Sequence, residues 1–294
     1  MIQAKNERAL NGFFLAVLLL FALFCVAPYL LVLAGSFTYE GELVKSGLRL
    51  VPKQWSADAY KLLFSDFGRV ATGYKNTVLV TSAGTVISLL INSMLAYALS
   101  KRACKYRGAL GFYCYFTMLF SGGIVPWYIV CAQYLGLRNN IWALILPYAA
   151  SAWYMFLLRN YFKSLPEEIG ESATIDGASE PRIFFTIILP LSLPALASVG
   201  LFVALMYWND WWLGIMLTEE ARLMPLQLLL RSIVSNIQFM TGENASRIIG
   251  SAVKLPSEGI KYAATIITIG PILLLYPFIQ KYFVKGLMVG AVKG

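Results

Sequence analysis

Six long stretches of this sequence contain no aspartate, glutamate, lysine or arginine. Each is 19 to 31 residues long, and a helix needs about 20 apolar residues to cross the hydrocarbon core of a bilayer. The whole chain is 59% hydrophobic and 13% charged, with about half the charge of an average soluble domain. The sequence therefore predicts an all-α integral membrane protein with six transmembrane helices. The predicted spans are 9–39, 76–100, 108–137, 139–158, 183–209 and 262–280.

The first span follows a short basic segment that contains Lys5 and Arg8, as the apolar core of a secretory signal peptide does. Its apolar core is longer than the roughly 7–15 residues of a signal peptide. No small-x-small cleavage site precedes Pro28. We therefore expect a retained transmembrane helix.

Basic residues near the ends of the spans indicate the orientation of the chain. Lys101, Arg102, Lys105 and Arg107 all fall in the short segment between spans two and three. In contrast, Arg138 is the only basic residue between spans three and four. Because basic residues collect on the cytoplasmic side, both termini are predicted to be cytoplasmic. The cytoplasmic segments are then 1–12, 100–107, 159–190 and 281–294.

The composition also excludes several kinds of site. The chain has no histidine, and its four cysteines form no C-x-x-C pair, so no metal or redox site is predicted. The net charge of +9 is not arranged as a basic run interleaved with aromatic residues. We therefore interpret it as a membrane-topology signal and expect no nucleic-acid partner.

The predicted cytoplasmic segment 159–190 is the most informative part of the sequence. Ser164 and Glu167 have the spacing of a capping box, in which two side chains satisfy backbone N–H groups at the start of a helix. Gly177 suits the end of that helix, because glycine tolerates the left-handed backbone conformation. The pattern predicts a short helix over 165–176.

Two interpretations of this short helix remain open. It has little core of its own to bury, so it either rests on lipid headgroups or docks on a protein partner. The segment carries five acidic and three basic residues, and anionic lipid would repel this charge, which favours a protein partner. A second helix is predicted to begin at Ser179 and Pro181 and to continue into span five.

Two external loops are long, at 36–74 and 218–261. In the second loop, apolar residues at helical spacing predict an amphipathic helix from Leu226 to Phe239. Such a loop either covers the helix bundle or docks a partner, and both interpretations stay open. The residues expected to face a docked protein are Asn236, Gln238, Phe239, Glu243 and Asn244.

Several polar side chains lie within or at the ends of the predicted spans. Polar groups at membrane depth usually face a bundle interior or a water-filled path. The candidates for a translocation path are Asn92, Trp208, Asn209 and Asp210. For Asp210 the alternative is a structural hydrogen-bond network at the end of span five, beside tryptophans that suit a membrane interface.

The segment that begins at Glu171 resembles the EAA motif of ABC importer permeases. It reads Glu-Ser-Ala over 171–173 and Asp-Gly-Ala over 176–178, followed by an apolar stretch and Pro190. Ser172 stands where the usual motif has alanine, which is a mild departure because both side chains are small.

Two further pieces resemble the maltose-type, carbohydrate-uptake branch of these permeases. Trp208-Asn209-Asp210 is one, and the tail over 280–294 closely resembles the end of the smaller, six-span permease. The resemblance covers roughly residues 70–294.

The resemblance implies the fold of a type I ABC importer transmembrane domain with a cytoplasmic coupling helix. Residues 1–70 would hold the N-terminal tail, first helix and external loop, residues 71–282 the transmembrane domain, and residues 283–294 a cytoplasmic tail. The coupling segment would be 164–181. By analogy, the residues that couple the spans to an ATPase are Glu171, Ser172, Ala173, Asp176, Gly177 and Ala178.

The resemblance also implies an assembly in the bacterial cytoplasmic membrane. A second homologous permease would form a heterodimer with this chain, and two ATPase subunits would bind ATP and Mg. An extracytoplasmic solute-binding protein would deliver an oligosaccharide. The chain has no G-x-x-x-x-G-K-[ST] phosphate loop, so we expect no cofactor in it and predict a translocase subunit that is not itself an enzyme.

The predicted function is a permease subunit of an ATP-driven, binding-protein-dependent importer of oligosaccharides. The alternative is a stand-alone secondary transporter or channel for a small polar solute, which would need ion-coupling charges or related halves with broken helices. A membrane enzyme would need a nucleophile, paired carboxylates or metal ligands in the spans. Whether the sugar is a neutral oligosaccharide or a uronate oligomer is left open by the sequence.

Overall fold

The computed structural model describes residues 2–241 and 257–273, and these residues are mostly helical. They contain no β-strand beyond one isolated bridge, between Thr38 and Trp55. The described residues divide into two compact units, of which the first comprises 2–67, 230–241 and 257–272 and the second 68–229 with residue 273. The sequence-based division into 1–70, 71–282 and 283–294 stays a prediction.

The first unit begins with a long apolar helix followed by an ordered connection. Helix α1 (Ile2–Ser36) runs 35 residues, and α2 (Glu40–Ser46) and α3 (Asp58–Leu63) follow it. The Glu42 carboxylate accepts hydrogen bonds of 2.8–3.1 Å from the backbone N–H groups of Lys53 and Gln54. The predicted loop between the first two spans therefore has fixed local structure.

A helix over 257–273, here α15, belongs to the same unit. The Glu40 carboxylate accepts hydrogen bonds from the backbone N–H groups of Glu258 and Gly259 at 2.9 and 3.0 Å. These N–H groups have no partner within the helix, and negative charge is favourable at a helix N-terminus. A carboxylate distant in sequence thus caps α15, and Ser257 to Gly259 form the start of its first turn.

The second unit is built around α4 (Phe67–Ser100), a continuous helix of 34 residues. It begins nine residues before the charge-free stretch that predicted it. Shorter helices follow α4 along the chain. They are α5 (Arg107–Leu119), α6 (Ile124–Ile129), α7 (Leu146–Ala149), α8 (Ala152–Lys163), α9 (Glu167–Ile175), α10 (Glu180–Ile183), α11 (Leu189–Leu191), α12 (Leu193–Trp208), α13 (Trp212–Leu217) and α14 (Leu226–Thr241).

Three of the predicted spans are bent pairs of helices. The pair 107–119 and 124–134 is bent by 115°, the pair 141–149 and 152–163 by 49°, and the pair 180–191 and 193–208 by 82°. The absence of charge did not predict these bends, because the charge-free sequence continues through each of them. At the sharpest bend Gly123 adopts a φ of 87°, a conformation that glycine adopts at little cost.

Within the described residues, two helices are by themselves long and apolar enough to cross a membrane, Leu10–Ser36 and Phe67–Ser100. The number rises to five if each bent pair counts as one span. The sixth predicted span, 262–280, extends beyond the described residues. The structure thus supports a multi-pass helical membrane protein, and the count of six remains a prediction.

The core of the second unit depends on a close contact between α4 and α12. Tyr207 is fully buried, and its hydroxyl donates a 2.8 Å hydrogen bond to the Ile145 carbonyl. Its ring lies so close to Gly84 that a Cβ atom there would be 2.7 Å from two ring carbons. A similar contact joins Gly200 to Leu89. Glycine therefore allows the two long helices to approach each other at these points.

Candidate functional site

The EAA-like segment forms a short helix with a defined end. Helix α9 has Glu167 and Glu168 in its first turn, where the helix dipole favours acids. It ends at Gly177, which has a φ of 79°. The Gly177 N–H donates to the Thr174 carbonyl at 3.0 Å and the Ala178 N–H to the Ala173 carbonyl at 2.9 Å. This is the Schellman arrangement, so the predicted stop at Gly177 is confirmed.

The start of α9 differs from the sequence-based expectation. The helix begins at Glu167, after Pro166, and no side chain caps it. The Ser164 hydroxyl donates instead to the Tyr161 carbonyl at 2.7 Å, at the end of α8. The capping-box prediction was therefore wrong, because the preceding helix leaves unpaired carbonyls that attract the same hydroxyl.

The surface of α9 is divided into a packed face and an exposed face. Gly170 is buried, while Ala173 and Ala178 are partly buried and pack against the core of the unit. Four of the predicted coupling residues are exposed, namely Glu171, Ser172, Asp176 and Gly177. Ile175 is 86% exposed. The exposed face therefore offers acids and one large apolar side chain.

Side chains at the end of α4 hold this segment at both of its ends. The Tyr97 hydroxyl donates a 2.6 Å hydrogen bond to the Glu180 carboxylate, and Lys101 Nζ lies 3.6 Å from the same carboxylate. At the other end, Arg102 Nε lies 3.0 Å from Glu167 Oε1. The two charged ends of the segment 167–180 are thus attached to the last turn of α4 and to the two residues that follow it.

These attachment residues were not predicted as part of the site. The sequence analysis used Lys101 and Arg102 only to predict the orientation of the chain. Tyr97 lies in an apolar stretch, and no sequence pattern predicts a contact for it. The contacts join residues 65 to 83 positions apart. A single sequence gives no signal for such pairing beyond the opposite charges.

Asn92, a candidate for the translocation path, is buried between α4 and the bend that separates α7 from α8. Its Nδ2 donates to the Ala149 carbonyl at 3.0 Å, and its Oδ1 accepts from the Ser151 N–H at 2.9 Å. Nδ2 also contacts the Ser88 carbonyl at 2.7 Å. The side chain therefore replaces the backbone hydrogen bonds that the bend interrupts, and its role in a path stays a prediction.

The Trp208-Asn209-Asp210 segment contains the last residue of α12 and leads to α13, which begins at Trp212. Trp208 is buried, whereas Asn209 is exposed and accepts a 3.1 Å hydrogen bond from Gln227. Asp210 accepts hydrogen bonds from the Tyr148 side chain and from the backbone N–H of Leu213. Asp210 and Trp208 thus lie at one helix junction, and the hydrogen bonds of Asp210 form a structural network of the kind given as the alternative. These hydrogen bonds do not test a role of either residue in translocation.

The predicted amphipathic helix of the second external loop is confirmed as α14. Its buried face includes Leu226, Leu229 and Ile237. Of the predicted docking residues, Asn236, Gln238 and Phe239 are exposed, and Phe239 is 66% exposed. Glu243 and Asn244 lie outside the described residues.

Comparison with known proteins identifies the class. The sequence profile of the family described as "Binding-protein-dependent transport system inner membrane component" matches residues 4–289. The chain is 43% identical to the polygalacturonan/rhamnogalacturonan transport system permease protein YtcP of Bacillus subtilis, over 98% of this chain and all of that protein. It is 32% identical to the arabinooligosaccharides transport system permease protein AraQ of Halalkalibacterium halodurans, over 93% of each chain.

A solved structure has the same fold. It is a bacterial ABC transporter involved in the import of the acidic polysaccharide alginate, and it matches with a TM-score of 0.78 and 30% identity. The match covers 94% of this chain and 98% of that one.

The helical fold, the EAA-like segment and these matches define a membrane-embedded permease, a translocase subunit whose ATPase is a separate polypeptide. The chain belongs to the binding-protein-dependent transport system inner membrane component family and has the fold of a type I ABC importer transmembrane domain. The alternative of a stand-alone transporter or channel is not favoured, because this family works within binding-protein-dependent systems.

Proposed function

We propose that this chain is a permease subunit of an ABC importer for uronate-bearing oligosaccharides, such as fragments of a pectin-like polymer. The single observation that carries the proposal is the end-to-end 43% identity with a permease named for polygalacturonan and rhamnogalacturonan transport. The match to a transporter of the acidic polysaccharide alginate supports an acidic substrate. The proposed oligosaccharide is therefore anionic.

The proposed assembly contains four other subunits. A second, homologous permease completes the translocation path, two ATPase subunits bind ATP and Mg, and an extracytoplasmic solute-binding protein delivers the sugar. What supports the assembly is the membership of a binding-protein-dependent family. This chain contributes no phosphate loop to it.

Helix α9 is the proposed coupling helix. Its exposed face carries Glu171, Ser172 and Asp176 for contact with an ATPase subunit, while Ala173 and Ala178 pack it on the rest of the permease. Glu167 at the start of α9 pairs with Arg102, just after α4, and Glu180, five residues beyond the end of α9, accepts from Tyr97 of α4, so a displacement of the segment 167–180 is passed on to that span. The ion pair of Arg102 with Glu167 supports this role.

The proposed topology has six spans and both termini in the cytoplasm of a bacterium. The ion pairs between the basic segment over 101–107 and the segment 167–180 support this topology, because the two segments are then on the same side of the membrane. The external surface then includes α14, and its exposed residues Asn236, Gln238 and Phe239 are proposed to contact the solute-binding protein.

The substrate class is tested by growth and uptake in a strain that lacks only this gene. We expect the deletion to abolish uptake of labelled trigalacturonate and to leave uptake of a neutral arabinotriose unchanged. Complementation with the wild-type gene is the control. Loss of arabinotriose uptake with normal trigalacturonate uptake would instead show a neutral substrate, in line with the arabinooligosaccharide relative.

A further inference from the structure

A short segment of the first unit, over 48–55, exposes a cluster of apolar side chains. It reads Leu-Arg-Leu-Val-Pro-Lys-Gln-Trp and contains no acid. Leu50, Val51 and Trp55 are 60–74% exposed, and of the eight residues Pro52 alone is buried. Large apolar side chains that stay exposed together indicate a surface that contacts a protein or a membrane.

These side chains are exposed on an ordered backbone. The Glu42 carboxylate accepts hydrogen bonds from two backbone N–H groups of the segment. The Tyr39 N–H donates to the Gln54 carbonyl at 3.0 Å, and the Ser56 N–H donates to the Phe37 carbonyl at 2.8 Å. The end of the segment is therefore held against the residues that directly follow α1.

The same pairing places Trp55 at the depth where a membrane span ends. The part of α1 that can cross a bilayer ends at Ser36, and Trp55 pairs with Thr38 across the isolated bridge. Two residues extend at most about 7 Å, and the headgroup region on each side of the hydrocarbon core is about 5–7 Å thick. Trp55 therefore lies level with the headgroups, where tryptophan is enriched in membrane proteins.

The charges of the segment suit the same environment. Its two charged side chains, Arg49 and Lys53, are basic and exposed. Such side chains can lay their apolar stems along a membrane surface and place their charge among the phosphates. The acid that contacts the segment, Glu42, is partly buried, and the backbone of the segment engages its carboxylate. Exposed apolar and basic side chains together are typical of surfaces that lie on phospholipid.

We propose that the segment 48–55 lies on the phospholipid bilayer, with its three exposed apolar side chains among the headgroups and with Arg49 and Lys53 on phosphate groups. In the proposed topology the lipid is that of the outer leaflet. The contact fixes the depth of the end of α1, because the segment is hydrogen-bonded to the residues after that helix. The rival occupant is the solute-binding protein, which would approach from the water above the headgroups.

The occupant is identified by photocrosslinking in the assembled transporter, in membranes to which the solute-binding protein is added. The photoreactive amino acid p-benzoylphenylalanine is placed at position 51 or 55, where the native side chain is exposed, and the mass of each adduct is measured. We expect phospholipid adducts at both positions, as at Phe24, which is 78% exposed on α1. Ile175 is the matched control, since it is apolar and 86% exposed on α9, and we expect it to give an adduct with an ATPase subunit and none with lipid.

The two basic residues are tested with the purified transporter in lipid discs that contain equal amounts of phosphatidylglycerol and phosphatidylcholine. We expect about 5-fold more phosphatidylglycerol than phosphatidylcholine in the adducts at position 51, which corresponds to about 1 kcal/mol. Arg49→Gln with Lys53→Gln should bring the two lipids to equal amounts. Lys105→Gln with Arg107→Gln removes two exposed basic residues on the other side of the membrane in the proposed topology, and it should leave the excess unchanged.

Three results would overturn the proposal. The first is an adduct with the solute-binding protein at positions 51 and 55 in place of lipid, because the segment would then be a docking surface for that protein. The second is no lipid adduct at either position while position 24 gives one. The third is a wild-type ratio of the two lipids that is equal, or that the Arg49 and Lys53 substitutions do not change.

Discussion

The Tyr97 hydroxyl donates a 2.6 Å hydrogen bond to the carboxylate of Glu180, 83 residues further along the chain. Tyr97 belongs to the long helix α4, and Glu180 is the first residue of α10, directly after the EAA-like segment. The Tyr97 ring also packs against Phe184 at a centroid distance of 5.2 Å. This contact links the proposed coupling segment, 164–181, to the long helix α4.

Removal of that hydrogen bond in Tyr97→Phe is expected to weaken coupling without disrupting the fold, because the ring contact with Phe184 remains. A hydrogen bond to a partly exposed carboxylate contributes about 1 kcal/mol, or a factor of about 5. We therefore expect about a 5-fold lower stimulation of ATP hydrolysis by loaded binding protein. Tyr106→Phe, at an exposed position in the next loop, should behave as wild type, and an unaffected Tyr97→Phe would exclude the link.

Gly177 is expected to be essential for a conformational reason and not for lack of space. A Cβ there meets nothing within 4 Å, but the residue has a φ of 79°. Gly177→Val should cost about 2 kcal/mol in backbone strain and abolish stimulated ATP hydrolysis with normal insertion into the membrane. Gly177→Asn should retain most activity, because asparagine tolerates this conformation. Equal activity of the two variants would contradict the Schellman explanation.

The parts of the fold that the sequence predicted are those set by local chemistry. The stop of α9 follows from Gly177 alone, and α14 follows from the spacing of Leu226, Leu229 and Ile237. The bends and the attachment of α9 were missed because they depend on contacts between distant residues. The Asn92 side chain, for example, accepts from the Ser151 N–H 59 positions away, and nothing local to either residue indicates that pairing.

Gly84→Ala is expected to destabilise the second unit. The added Cβ would lie 2.7 Å from the Tyr207 ring, which is fully buried and has no room to move. Overpacking of this kind costs about 1–3 kcal/mol, so the apparent Tm of the purified transporter should fall by several degrees. Gly111→Ala is the control, since its Cβ would meet nothing within 4 Å. A normal Tm for Gly84→Ala would mean that α4 and α12 are not in such close contact.

Asn92→Leu separates a structural role from a role in the translocation path. The substitution leaves the Ser151 N–H without its acceptor and the Ala149 carbonyl without its donor. Each unpaired backbone group costs about 1–3 kcal/mol away from water, so we expect a large fall in Tm and in the amount of assembled transporter. Normal Tm and amount with an altered KM for uptake would instead place Asn92 on the sugar path.

The exposed end of α14 is expected to contact the solute-binding protein. Phe239→Ala removes a large apolar side chain that is 66% exposed, and it should weaken the affinity of loaded binding protein for the transporter by about 10-fold. Val44→Ala, at a position that is 69% exposed on α2, is the control for loss of apolar surface elsewhere. Wild-type affinity in Phe239→Ala would favour the interpretation of this loop as a cover of the bundle.

The central claim is that this chain works as one subunit of an ATP-driven, binding-protein-dependent importer. It is tested most directly by uptake of labelled trigalacturonate into proteoliposomes that contain the assembled transporter. The account predicts uptake only when ATP is present on the ATPase side and the binding protein on the other, with none for liposomes that contain this chain alone. Uptake by this chain alone, driven by an ion gradient and independent of ATP, would contradict it.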